Sequence, residues 1–259
     1  MDPGVLALLG LGALGGSVVQ AATGFGFAIV AAPLFLIAMN SHAALQVLVV
    51  IHLVQTVMML GGIWALVPLR MFKLLVAGAL VGSPIGLLVF MHLDVNALKL
   101  TVGVLILVFT TLLIAREVGW LGRRSPEWEA TEAGRSADPT PSPLACLTGA
   151  VAGAMTALLV MPGPPLMLHL SYRPLSHAHA RALAVAFFGL CYLFVTALNA
   201  FWAGMGEGVW WLALGLAPVV YVGTQLGLRL SRYLTQGAFR VAVLVLLVLS
   251  GLGAVLSAR

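Results

Sequence analysis

Charge is what this chain lacks: Asp, Glu, Lys and Arg make up 8% of its 259 residues, against 61% hydrophobic residues. An ordinary soluble surface, which needs roughly a quarter to a third of charged residues, cannot be built from that supply. The net charge of +5 does not point to nucleic acid, because the 13 Lys and Arg sit at segment ends and form no basic stripe. Cysteine is equally sparse. Cys146 and Cys191 both fall inside apolar runs and read as buried free thiols, which gives no ground for a disulfide or for redox chemistry. Acids are missing from the long apolar runs as well, since Asp94 and Glu207 lie near segment ends, and a relay of buried carboxylates has no basis. The opening residues MDPG lack the positive region of a cleaved leader, so the first apolar segment is expected to stay in the protein.

Long apolar runs are what the sequence does have. About 20 mostly apolar residues cross a hydrocarbon core of about 30 Å. Such runs cover Val5 to Met39, interrupted around Thr23 to Gly26, and then 43–64, 72–92 and 97–115. A polar stretch at 116–143 follows, holding nine of the 21 charged residues and several prolines. After it come Leu144 to Val160, a break at MPGPP, a short piece to Tyr172, and runs at 178–202, 209–230 and 238–257. The second half repeats the order of the first, which divides the chain into a membrane repeat at 1–115, a linker at 116–143 and a second repeat at 144–259.

Internal similarity supports the division. GSPIGLLVFMHLDVNALK (82–99) lies without a gap over GTQLGLRLSRYLTQGAFR (223–240), and residues 32–46 resemble 164–181 with a three-residue insertion. An odd number of crossings per half puts the loops at 65–73, 116–143, 171–181 and 229–240 on one side. That side collects 11 of the 13 Lys and Arg, leaving Lys99 and Arg259 outside. This reads as two inverted repeats with both termini outside and the linker cytoplasmic. The expected fold is an all-α polytopic membrane protein, each repeat opening with a broken or re-entrant helix pair followed by three transmembrane helices. Trp202, Trp210 and Trp211 would mark the outer interface and Trp64 the inner one.

The breaks carry the functional reading. Non-helical backbone at membrane depth persists only when buried in protein or lining a cavity. Gly24 and Gly26 allow close approach of backbone to a ligand, and Pro33, Pro162, Pro164 and Pro165 are expected to end or start half-helices. A half-helix N-terminus presents free N–H groups and the positive end of its dipole, which favours an anion. The candidate ligands are therefore Gln20, Thr23, Gly24, Phe25 and Gly26 from the first break and Met161, Gly163 and Pro164 from the second. His52, Gln55, Asn199 and Gln225 are polar residues inside spans, and the first three read equally well as interhelical hydrogen-bond partners. Arg181 is either an attractor of anions or a flanking cytoplasmic charge. Any proton coupling would use His52, with His169 second.

Other patterns carry less. The two histidines of HAH (177–179) lack a third ligand, so no metal site is assigned, and nothing calls for a cofactor. GLGALG (10–15) matches a dinucleotide fingerprint in letters but has no strand before it. Gly78, Gly82 and Gly86, with Gly223 and Gly227, have the spacing of close helix packing.

GALGGSVVQAATGFGFAIVAAPLF (12–35) and GAVAGAMTALLVMPGPPLMLHLSY (149–172), placed as two halves of one small membrane protein, resemble the TauE/SafE family of sulfite and organosulfonate permeases. The resemblance covers nearly the whole chain apart from the linker. It implies ATP-independent transport of a small sulfur-containing or carboxylate anion across a bacterial inner membrane. The partners would be that anion and the bilayer, with a homo-oligomer left open. A membrane-embedded enzyme and a non-transporting accessory subunit are the rivals, and the first lacks an H-E-x-x-H or a recognisable nucleophile and base.

Overall fold

The computed structural model describes residues 2–117, 143–171 and 175–233, with 248, 251–253 and 256–257 beyond them. Most of the 116–143 linker and of the last expected run at 238–257 therefore lies outside the described residues. Helix α1 spans Pro3–Thr23 and starts where Asp2 accepts a hydrogen bond from the Gly4 amide at 3.0 Å, with proline at the first helical position. It ends at Gly24, whose positive φ of 87° lets its amide bond back to the Gln20 carbonyl at 2.7 Å. Next come α2 (Phe27–Met39), α3 (Ala43–Leu60), a short turn of 3-10 helix at Trp64–Leu66, α4 (Leu69–His92) and α5 (Val95–Glu117). The second half supplies α6 (Pro143–Leu159), α7 (Gly163–Ser171), α8 (His177–Leu198) and α9 (Glu207–Tyr233), and no strand occurs among the described residues.

Five of these segments are long and apolar enough to cross a bilayer: Pro3–Thr23, Ala43–Leu60, Leu69–His92, Ala178–Ala203 and Glu207–Leu230. Their outward faces carry exposed Val57, Val81, Leu88 and Leu214, apolar surface that only a lipid environment accommodates on this scale. Trp202 and Trp211 are exposed near one end of the molecule and Trp64 near another loop. Lys99, at 6% exposure, donates to Asn40 Oδ1 at 2.7 Å. Asn40 is the left-handed cap of α2, so this lysine sits at the negative end of a helix dipole.

Glycine decides how the helices meet. A Cβ on Gly78, Gly82 or Gly86 of α4 would collide with the backbone of Cys146, Ala150 or Ala154 on α6. The same holds in reverse for Gly149 against the backbone of Leu75. On the other side of the molecule a Cβ on Gly223 of α9 would lie 2.7 Å from Ser17 Cβ, and one on Gly227 would lie 2.8 Å from Ala21 Cβ of α1. The expected packing role of these glycines thus becomes contact of one backbone on another. The exchange is reciprocal: the first helix of each half lies parallel to, and against, the glycine-bearing helix of the other. Between the two pairs, α3 and α8 cross antiparallel, with Gln46 near Asn199, His52 on Tyr192 and Thr56 against Gly189.

One expectation about proline is corrected. Pro33 does not end a half-helix but lies inside α2, which runs six residues past it. Its ring removes one amide and leaves the Ile29 carbonyl without its i+4 donor, a loss that the tight burial of α2 absorbs.

Candidate functional site

Each half opens with a helical hairpin. After Gly24, the turn Phe25–Gly26 reverses the chain, Gly26 having φ of 106°, and α2 returns along α1. A Cβ on Gly16 would be 2.9 Å from the Phe27 carbonyl, one on Gly15 3.5 Å from Val30, and one on Gly12 3.3 Å from Phe35. The Thr23 hydroxyl holds this turn. It accepts from the Phe25 amide at 3.2 Å and lies 2.8 Å from the Val19 carbonyl and 2.5 Å from that of Phe25. In the second half α6 stops at Val160, a β-branched residue with φ of 60°, whose amide bonds to the Thr156 carbonyl at 2.9 Å. Met161 and Pro162 then lead into α7, which folds back so that His169 Nδ1 meets Thr148 Oγ1 of α6 at 3.1 Å.

The two turns meet. A Cβ on Gly163 would touch Phe25 Cβ at 3.6 Å, and both turns line one cavity together with Gln20, His52, Phe188 and Tyr192. The cavity is closed down, with room for about one water molecule. His52 is held as a plate in its wall, stacked on Tyr192 at 4.5 Å and tilted against Phe27 at 4.1 Å. Gln20 is 1% exposed, and its Nε2 has no hydrogen-bond partner among the described residues. A buried amide left without an acceptor costs roughly 1–3 kcal/mol, a cost that a ligand oxygen would remove.

Backbone donors add to that amide. The first i→i−4 bond of α2 runs from Val30 to Gly26 at 3.3 Å, and no side chain caps this end. The amides of Phe27, Ala28 and Ile29 therefore have no partner inside their helix, and these three residues line the cavity. The α7 end is poorer, because Pro164 and Pro165, its second and third residues, carry no N–H.

Of the residues expected from sequence, the structure brings Gln20, Phe25, Gly26, His52, Met161, Gly163 and Pro164 to the cavity. Thr23 and Gly24 build the first turn instead of lining the space. Gln55 ties α3 to α1 and α9 through the Ser17 carbonyl at 3.1 Å and Thr224 Oγ1 at 3.2 Å. Asn199 donates to the Val195 carbonyl at 2.9 Å and borders a second small cavity with Gln46, Phe90, Ala157 and Val160. Gln225 is exposed on the outside of α9 while its neighbour Thr224 turns inward. Arg181 reaches the Ala21 carbonyl at 2.8 Å, and His169 packs between α6 and α7 away from the cavity. His179 pairs with Ser176 at the start of α8, and no cluster of three metal-ligating residues occurs among the described residues. Sequence reasoning missed Phe27, Ala28, Ile29, Val160, Pro162, Phe188 and Tyr192. Pro162 was legible as a breaker in MPGPP but not as a lining residue, and Phe188 with Tyr192 left a signal in an aromatic pair at i, i+4 spacing that puts both on one face of α8.

The family model described as sulfite exporter TauE/SafE matches residues 8–254, a span that takes in both hairpins and both glycine interfaces. The chain belongs to the TauE/SafE family. Comparison with curated proteins and with solved structures gives no match, so the TauE/SafE assignment rests on the family model. TauE/SafE proteins are membrane transporters rather than enzymes, and the apolar helices of this chain fit that class.

Proposed function

We propose that the protein is a secondary transporter that carries a small oxyanion, sulfite or an organosulfonate or a related carboxylate, across the bacterial inner membrane by alternating access. The observation that carries this reading is the convergence of the two turns on one buried cavity, into which an unpartnered Gln20 amide and the bare N-terminus of α2 face. These donors complement negative charge, and the cavity wall offers no carboxylate to oppose it. His52, already part of the wall and stacked on Tyr192, is the proposed coupling group if a proton accompanies the anion.

Alternating access requires two elements that rock against each other around a fixed site. The reciprocal pairs α1 with α9 and α4 with α6, and the antiparallel α3 and α8 between them, support two inverted repeats as those elements. In the proposed topology the end bearing Arg70, Lys73 and Arg229 faces the cytoplasm, with the 116–143 linker on that side and both termini on the other.

Counterflow in liposomes holding the purified full chain tests the reading, with sulfite, thiosulfate, sulfoacetate and acetate offered in turn. Saturable exchange of at least one of them, with a KM raised about tenfold or more in Gln20→Leu, is the expected result. No exchange of any of the four, by protein that remains folded in the bilayer, overturns it.

A further inference from the structure

Arg181 and Gln46 stand at equivalent places in the two halves. Alignment of 32–46 with 164–181 ends on this pair, and each lies near the start of its helix, α8 or α3. The surroundings agree. Arg181 bonds to Ala21 and its Cγ lies 3.7 Å from where a Gly24 Cβ would be, while Gln46 borders a cavity with Ala157 and Val160. Ala21 is three residues before the left-handed residue Gly24, and Ala157 is three before the left-handed Val160. Each side chain therefore watches over the end of one hairpin helix, from opposite ends of the molecule.

Their bonds differ in kind. Gln46 Nε2 donates to the Gly204 carbonyl at 3.0 Å and sits 3.4 Å from Asn199 Oδ1, which ties α3 to the turn after α8 through neutral groups. Arg181 spends one N–H on the Ala21 carbonyl, at the negative end of the α1 dipole, and keeps its other donors for a second partner. A guanidinium binds an oxyanion bidentately and more strongly than it binds a backbone carbonyl.

On the transport reading given above, we propose that Arg181 is a latch on the Arg70–Arg229 side of the cavity, releasing the Ala21 carbonyl when an oxyanion approaches from that side. Gln46 is the neutral latch on the opposite side. The exchange frees the end of α1 and the Gly24–Gly26 turn to move, so an anion opens its own way in from one face and not from the other. The two sides of the carrier then differ in affinity although their backbones correspond.

Sulfite uptake into right-side-out and inside-out membrane vesicles, each holding the full chain, gives KM separately for the two faces. Arg181→Gln is expected to raise KM at the face bearing Arg70 at least tenfold while changing the other by less than threefold, and Arg181→Lys to recover part of the loss. Gln46→Arg, which places a second cation at the opposite latch, is expected to lower KM there at least threefold; this arm stands even if Arg181→Gln fails to fold. Equal changes of KM on both faces would mark Arg181 as merely structural and overturn the proposal, as would an unaltered KM in both Arg181 variants or in Gln46→Arg. Wild-type vesicles that move neither sulfite nor the other anions would overturn the transport reading and the latch with it, whereas active wild type with unaffected variants removes the latch alone.

Discussion

The first hairpin turn and the second occupy corresponding places and do opposite things with their backbones. In the first, Gly24 and Gly26 take positive φ without strain, Thr23 fastens the loop, and the following helix presents three unshared amides. In the second, Val160 is forced into the left-handed region, and Pro164 and Pro165 strip the next helix of donors. One turn is a supple donor and the other a stiff wall. The paired hairpins thus fix where the cavity lies, while local residue choice fixes what each side of it offers.

The largest effects should fall where the halves are alike. Gly82→Leu and Gly223→Leu each drive a side chain into the facing helix, and both are expected to leave little protein that survives size-exclusion chromatography in detergent. A strongly unequal outcome would show that the two glycine interfaces are not equivalent. Next comes a contrast between the turns themselves. Gly24→Val imposes left-handed strain of about 1–3 kcal/mol and should lower the detergent Tm and abolish sulfite exchange. Val160→Gly relieves strain of that size while giving up burial of similar size, so its Tm should stay near wild type.

Gln20 and Thr156 sharpen the same contrast, each four residues before the left-handed residue of its turn. Thr156 Oγ1 is satisfied by the Ala152 carbonyl at 2.6 Å, and Thr156→Val should change KM by less than threefold. Gln20 Nε2 has no such partner among the described residues. Gln20→Leu should therefore raise the KM for sulfite about tenfold or more while leaving Tm equal or higher, because an unsatisfied buried amide disappears with it. Loss of stability together with transport would assign Gln20 to packing.

Much of this was legible in the sequence because it depends on patterns that chemistry forces. Helix boundaries followed apolar runs ended by Gly24, Asn40 and the MPGPP cluster, and the helix contacts followed glycines at four-residue spacing. Membership in the TauE/SafE family was legible in the two hairpin segments, and the family model bears it out. Other features depend on rotation about a helix axis, which the absence of strong amphipathicity leaves unmarked. Gln225 and Thr224 are adjacent, and only the fold reveals that the threonine turns in. Val160 gave no signal at all, since a β-branched residue is the last choice for a left-handed cap. Pro33 misled because a proline inside a buried helix resembles one at its start until the helix is seen to continue.

The smallest expected effect is also the one that isolates the donors from everything else. Pro164→Ala adds one N–H at the mouth of α7 without adding charge or bulk, and Pro165 still holds the turn. If the cavity receives an anion, the new amide should strengthen binding by about 0.5–1.5 kcal/mol, the net contribution of one hydrogen bond, or a two- to tenfold lower KM for sulfite. Tm should fall slightly, because alanine leaves the unfolded chain freer than proline does. A rise in KM would mean that α7 serves the cavity by rigidity alone, and the donor argument would then rest on Gln20 and α2.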